Sequence, residues 1–180
     1  LIPQAGEEGG GVSEFDLESF FGLPVGSIAT IANDGDPSNG VEVPTDGSAI
    51  RQFFNVQAGD VLNIKFNFLE NESDSPGEGS GTESFSLLGS GAGPDFQDFA
   101  FVVVGDQVFR LSDVCDANIP STAGGGFGTW HEESGYVTFT YTFTQDGSFQ
   151  VGLGVMNEGD TSVNPALLVD DLTITRGVCD

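Results

Sequence analysis

The sequence is poor in positive charge. Four basic side chains, Arg51, Lys65, Arg110 and Arg176, face 28 acids, for a formal net charge of −24. Such a chain lacks the Lys and Arg through which proteins bind the phosphates of nucleic acid or an anionic membrane surface. Histidine is nearly missing as well. His131, in GTWHEESG, is the one imidazole. A histidine-based triad has to be built there, yet no G-x-S-x-G elbow accompanies it and neither cysteine has a paired-histidine context. No H-E-x-x-H or Cys/His zinc spacing occurs. The stretch GGGFG, residues 124–128, lacks the Lys-Ser/Thr of a phosphate-binding loop. A glycoside hydrolase needs only two carboxylates, but nothing singles out a pair. The chain is read as non-enzymatic.

Long apolar runs are absent too. None approaches the ~20 residues that cross a bilayer, so no membrane insertion is expected. Leu1, where an initiator Met would stand, is read as the mark of a processed, exported chain. Cysteine is limited to Cys115 and Cys179, which fit no metal spacing. An even pair in an exported chain points to one disulfide, Cys115–Cys179, worth about 4 kcal/mol in the chain-entropy model. The other reading is two reduced thiols. A single Met, few Lys and Arg, and 27 Gly argue against helices.

What the chain does have is phenylalanine and alternation. Sixteen Phe, with many Val, Leu and Ile, supply a core. In YVTFTYTFTQDGSFQVGLGVM, Val137, Phe139, Tyr141 and Phe143 alternate with threonines. After Asp146-Gly147, Phe149, Val151, Leu153 and Val155 alternate with Ser, Gln and Gly. Two period-2 runs around a D-G turn predict a β-hairpin. VLNIKFNFL repeats the pattern after AIRQFFNV and the turn signal QAGD. FAFVVV, QVFRL, SIATIA, SFSLL and the opening segment bring the count to about eight to ten strands, with no helix. The expected fold is an all-β antiparallel sandwich of jelly-roll type. Residues 1–12 are read as a flexible N-terminal arm and 13–180 as a single sandwich domain.

So many acids have three readings: they bind divalent cations, keep a secreted protein soluble by self-repulsion, or adapt it to high salt. Calcium wants several oxygen ligands. NDGDPSNG offers Asp34 and Asp36, with Ser38 and Asn39, at nearly alternating positions. Glu70, Glu72 and Asp74 at one strand end converge with Asp95 and Asp98 if the strands are neighbours. The strand NPALLVDDLTITR carries Asp170 and Asp171. Strict alternation puts Asp170 on the core face with Leu168, Leu172 and Ile174, and Asp171 on the opposite face. A core-facing carboxylate needs a buried Arg, several backbone N–H donors or a metal ion; four bases in the whole chain argue against the Arg, and Asp170 is the stronger calcium candidate.

LLVDDLTI also resembles the last strand of bacterial carbohydrate-binding jelly rolls. That resemblance implies a structural calcium shared with an acid near an N-terminal aromatic, here Asp16 or Glu18 of EFDLESF. Over most of the chain, FDLESFFGLPVGS, DGSAIRQFFNVQAGDVLNIKFNFLENE, DFAFVVV, SGYVTFTYTF and GLGVMNEGDTSVNPALLVDDL are similar to exported bacterial proteins of the sorting-anchor type, frequent in cyanobacteria and proteobacteria. "FLENE … DFAFV" resembles the choice-of-anchor surface domains. These resemblances imply a β-sandwich that is secreted or held at the surface of a bacterium. The expected function is a non-catalytic structural or adhesive protein, stabilised by calcium, whose partner is itself, as a homo-oligomer or filament, or an extracellular glycan. The alternative is a carbohydrate-binding module using Trp130 and Tyr136, with Tyr141 packed in the hairpin.

Overall fold

In the computed structural model of the protein, residues 11–32, 43–70, 98–114, 116–117, 119–121, 124–125, 128–159, 161 and 164–177 are described. Chain order is β1 (Val12–Ser13), α1 (Glu14–Phe21), α2 (Ser27–Ala32), β2 (Pro44–Val56), β3 (Val61–Glu70), β4 (Phe99–Val104), β5 (Gln107–Asp113), β6 (Ile119–Pro120), β7 (Gly124–Gly125), β8 (Gly128–Thr129), β9 (Glu132–Glu133), β10 (Val137–Thr142), β11 (Gly147–Glu158) and β12 (Ala166–Thr175). Outside the described residues lie SFSLL, Cys115 and Cys179 with their expected disulfide, and the calcium candidates Asp34, Asp36, Glu72, Asp74 and Asp95.

Two large antiparallel sheets form, and β7 and β8 pair separately as a two-stranded ribbon. The first runs β1-β2-β11-β4-β5. The second is built on β3, which pairs with β12 on one side and with β10 and β9 on the other; β6 follows β9. The expected hairpin exists as two strands, but they part company. β10 joins β3 and β11 joins β2 and β4, so the D-G turn crosses from one sheet to the other. This is an all-β antiparallel sandwich.

The core between the sheets follows the alternation. Leu62, Ile64, Phe66 and Phe68 of β3 meet Ala100, Val102 and Val104 of β4 and Val151, Leu153 and Val155 of β11, all buried. A second apolar cluster lies on the other face of the first sheet. There Phe99, Phe101, Val103 and Met156 are covered by Leu17, Phe21, Leu23, Ile28 and Ala32. That is why FAFVVV is buried at every residue: both faces of β4 are covered.

The cover is helical, which corrects the expectation of no helix. Ser13 caps α1: its Oγ accepts the Asp16 N–H at 3.2 Å and donates to Asp16 Oδ2 at 2.8 Å. Gly22 ends the helix in the left-handed region, φ 70°. SIATIA, expected as a strand, is α2. Its buried residues, Ile28 and Ala32, are four apart, which is the spacing of one helical face.

Glycine makes room for this cover. A Cβ on Gly152 of β11 would lie 2.1 Å from a Phe21 ring carbon, and one on Gly154 would lie 2.4 Å from the Phe101 ring. The alternating glycines of VGLGV therefore sit on the face where aromatic rings approach the backbone.

Candidate functional site

The sequence-derived candidates are largely taken up by the fold. Asp16 is part of the α1 cap. Glu18 is buried, and its carboxylate accepts N–H groups from Gly26 at 3.0 Å and Ile28 at 2.9 Å. Glu14 accepts the Ala29 N–H at 2.9 Å. The first amides of α2 are thus capped by two carboxylates of α1. Burial, and next the charge of Glu18, push the Glu14 carboxyl above the usual range, against the pull of the Ala29 amide.

Asp170 does not face the core. Register shifts between Val169 and Asp171, so Asp170 is the extra residue of a β-bulge. The bulge keeps Leu167, Val169, Leu172 and Ile174 inward and both aspartates exposed. Lys65, from the neighbouring strand, bonds Asp170 at 2.6 Å. That contact raises the Lys65 ammonium above its usual value. Strict alternation failed here because a bulge adds one residue to the period.

Asp98 is buried before β4 and accepts the Glu158 N–H at 2.9 Å, while its carbonyl accepts from Val114. Glu70 is buried at the end of β3. Among the described residues no three His, Cys, Asp or Glu side chains are grouped as a metal would need. Trp130 is half-buried in the segment before β9. Tyr136 is exposed, with the Lys65 ammonium 4.8 Å from its ring centre. His131 is exposed and its backbone N–H donates to the Glu70 carbonyl.

A cleft of about 680 Å³ opens at the other end of the strands. Its walls are the last turn of α1, the middle of β2, the β4–β5 turn and the start of β11. Two amide hydrogen bonds hold these walls together. Gln150 Nε2 donates to the Phe21 carbonyl at 2.5 Å and to the Gly105 carbonyl at 2.6 Å. Tyr141, which also lines the cleft, packs on Phe109 and Phe143 and donates to Gln107 Oε1 at 3.3 Å. Phe20 and Phe53 are exposed, at 39 % and 59 %. Arg51 lies between them, its guanidinium 4.3 Å from the Phe20 ring centre and 5.8 Å from that of Phe53. Arg51 Nη1 also donates to the Phe20 carbonyl.

The lining is otherwise mostly neutral. Among the described residues Arg51 and Asp106 are its charged side chains; Gln107, Gln145, Thr144 and Ser148 supply amides and hydroxyls. Neither Trp130 nor Tyr136 takes part. A signal for this site was present in AIRQFFNV. On a strand, Arg51 and Phe53 share one face, and Ile50, Gln52 and Phe54 share the other. Since Ile50 and Phe54 pack on the core, an arginine and a phenylalanine are displayed together outside it. No family model, curated protein sequence or solved structure matches this chain.

Proposed function

We propose that the chain is a non-catalytic, extracellular adhesive module of a bacterial surface or matrix, and that it holds glycan in the cleft beside Phe53. The composition of the cleft carries this reading: aromatic faces stand next to neutral amides and hydroxyls. Sugar rings place their C–H faces on aromatic rings and their hydroxyls on such polar groups. A retaining or inverting glycosidase needs two carboxylates flanking the bond, whereas among the described residues the lining carries Asp106. The resemblance to exported sorting-anchor proteins supports the location. Calcium belongs to the proposal as a stabilising ion at the opposite end of the strands, where Glu70 and Asp98 are buried.

Filament growth by strand addition has less support. At β12 the bulge and its two exposed aspartates interrupt the edge. A charge of −24 also opposes the approach of a second copy.

The test is retention of the protein on a panel of immobilised polysaccharides. Binding without turnover is expected, and Phe53→Ala lowers it about tenfold, the loss typical of an interface hot-spot side chain, while the thermal melt is unchanged. No retention on any glycan, or retention indifferent to Phe53, removes the reading.

A further inference from the structure

Three of the four basic side chains are neutralised by carboxylates. Lys65 pairs with Asp170 at 2.6 Å, Arg176 with Asp60 at 2.6 Å, and Arg110 with Asp113. Arg51 is the base that has no carboxylate partner among the described residues. Among the described residues the guanidinium without a carboxylate is the one that stands in the aromatic cleft. The Phe20 and Phe53 rings flank it, and one of its five N–H donors goes to the Phe20 carbonyl. This fixes the planar fork while leaving donors for a ligand. A guanidinium held in this way suits a carboxylate, which it can engage with two parallel N–H···O bonds.

We propose that the cleft takes a carboxylate-bearing glycan, a chain containing uronic acid residues, and that Arg51 pairs with the sugar carboxylate. This rests on the glycan reading above and names the substrate class. The ring faces and the amides recognise the sugar; Arg51 selects its charge. The acidic surface opposes any anion at long range. At physiological ionic strength that repulsion is screened beyond about 8 Å, whereas a direct contact with Arg51 is not. Asp106, a carboxylate of the same lining, opposes the sugar's charge at close range, so the pairing depends on the direct contact with Arg51.

The experiment is calorimetric titration of the full chain with an oligogalacturonate and with its methyl ester, in about 0.15 M salt. A chelator is present throughout, so that no calcium ion bridges an acidic protein to an acidic sugar. The acid is expected to bind at least about tenfold more tightly than the ester, the factor that one charge-assisted hydrogen bond supplies. Arg51→Gln is expected to remove the preference, so that acid and ester bind alike. Arg51→Lys restores part of the difference, since an ammonium keeps the charge without the fork. Equal affinity for acid and ester in the unaltered protein overturns the inference, with no variant needed. If Phe53→Ala then abolishes that equal binding, the adhesive reading survives alone. If neither sugar binds, both fail. An acidic peptide that binds through Arg51 where the uronate does not also overturns the proposal.

Discussion

The sheet β1-β2-β11-β4-β5 is covered on both faces along β4 and the second half of β11, while the sheet built on β3 keeps one face in water along β10 and the first half of β3. On β3 and β10 the inward residues are Leu62, Ile64, Phe66, Phe139 and Tyr141, and the outward ones Asn63, Lys65, Thr138 and Thr140. On β4 every residue is buried, and on β11 the outward positions are Gly152, Gly154 and Met156, in contact with Phe21, Phe101 and the helical cover. One strand period thus yields two surfaces. The difference is imposed by α1 and α2, which supply a second apolar cluster and one wall of the cleft. Removing the cover should make the two sheets alike.

The largest effect is expected from Glu18→Ala. Its carboxylate accepts the amides of Gly26 and Ile28, and it is 1 % exposed. Alanine leaves both donors without an acceptor where α2 begins. An orphaned buried donor costs about 1–3 kcal/mol, so a loss of about 3 kcal/mol is expected in urea denaturation. Binding of a hydrophobic dye should rise as α2 lifts from Phe99 and Val103. A loss below about 1 kcal/mol would mean that packing, not capping, holds the cover.

Gly152→Ala tests the same contact from the strand side. The new methyl meets Phe21, itself 2 % exposed, at 2.1 Å, so the ring or α1 must shift. Overpacking of this kind costs about 1–3 kcal/mol. Thr140→Ala, on the watered face of the other sheet, is the matched control, with an expected change within about 0.5 kcal/mol. Because Phe21 and Gly22 line the cleft, Gly152→Ala should also weaken glycan binding, and Thr140→Ala should not. Equal effects on stability would erase the distinction between the sheets.

The same contrast explains what the sequence revealed. The β3 sheet was legible because one wet face makes alternation visible: VLNIKFNFL and YVTFTYTF read directly as β3 and β10. FAFVVV also read as a strand, but the element covering its second face did not. SIATIA reads as a strand, and EFDLESFF does not stand out as a helix, because the local signals for helix are short: one cap at Ser13, one Gly22, and Ile28 four residues before Ala32. Much of their helical stability comes from tertiary burial against β4, which a local pattern does not display. The cleft was hidden for a related reason. Its residues come from α1, β2, the β4–β5 turn, β10 and β11, and only the fold brings them together. Arg51 and Phe53 were readable as neighbours on one face; that Asp60, Asp113 and Asp170 pair with the other three bases depends on the fold.

The smallest effect is expected on the watered sheet, at Asp170. Alternation made this residue a buried charge in need of a cation; the bulge makes it an exposed partner of Lys65. These alternatives differ in what calcium does. A ligand that binds only the folded state raises its stability as RT ln(1 + [L]/Kd). If Asp170 held calcium, Asp170→Asn would abolish a calcium-dependent rise in melting temperature. In the arrangement described here, Lys65 occupies the carboxylate at 2.6 Å and both side chains are about half exposed, 46 % and 50 %. Exposed ion pairs contribute little and are screened by salt. Asp170→Asn and Lys65→Ala should therefore each shift the melting temperature slightly, by amounts that shrink as salt is raised. Any calcium response of the protein should be the same in both variants as in the unaltered chain. Two aspartates in the middle of an apolar strand then have a mechanical reason rather than a ligand: the extra residue keeps Leu167, Val169, Leu172 and Ile174 packed on the core and leaves both aspartates exposed.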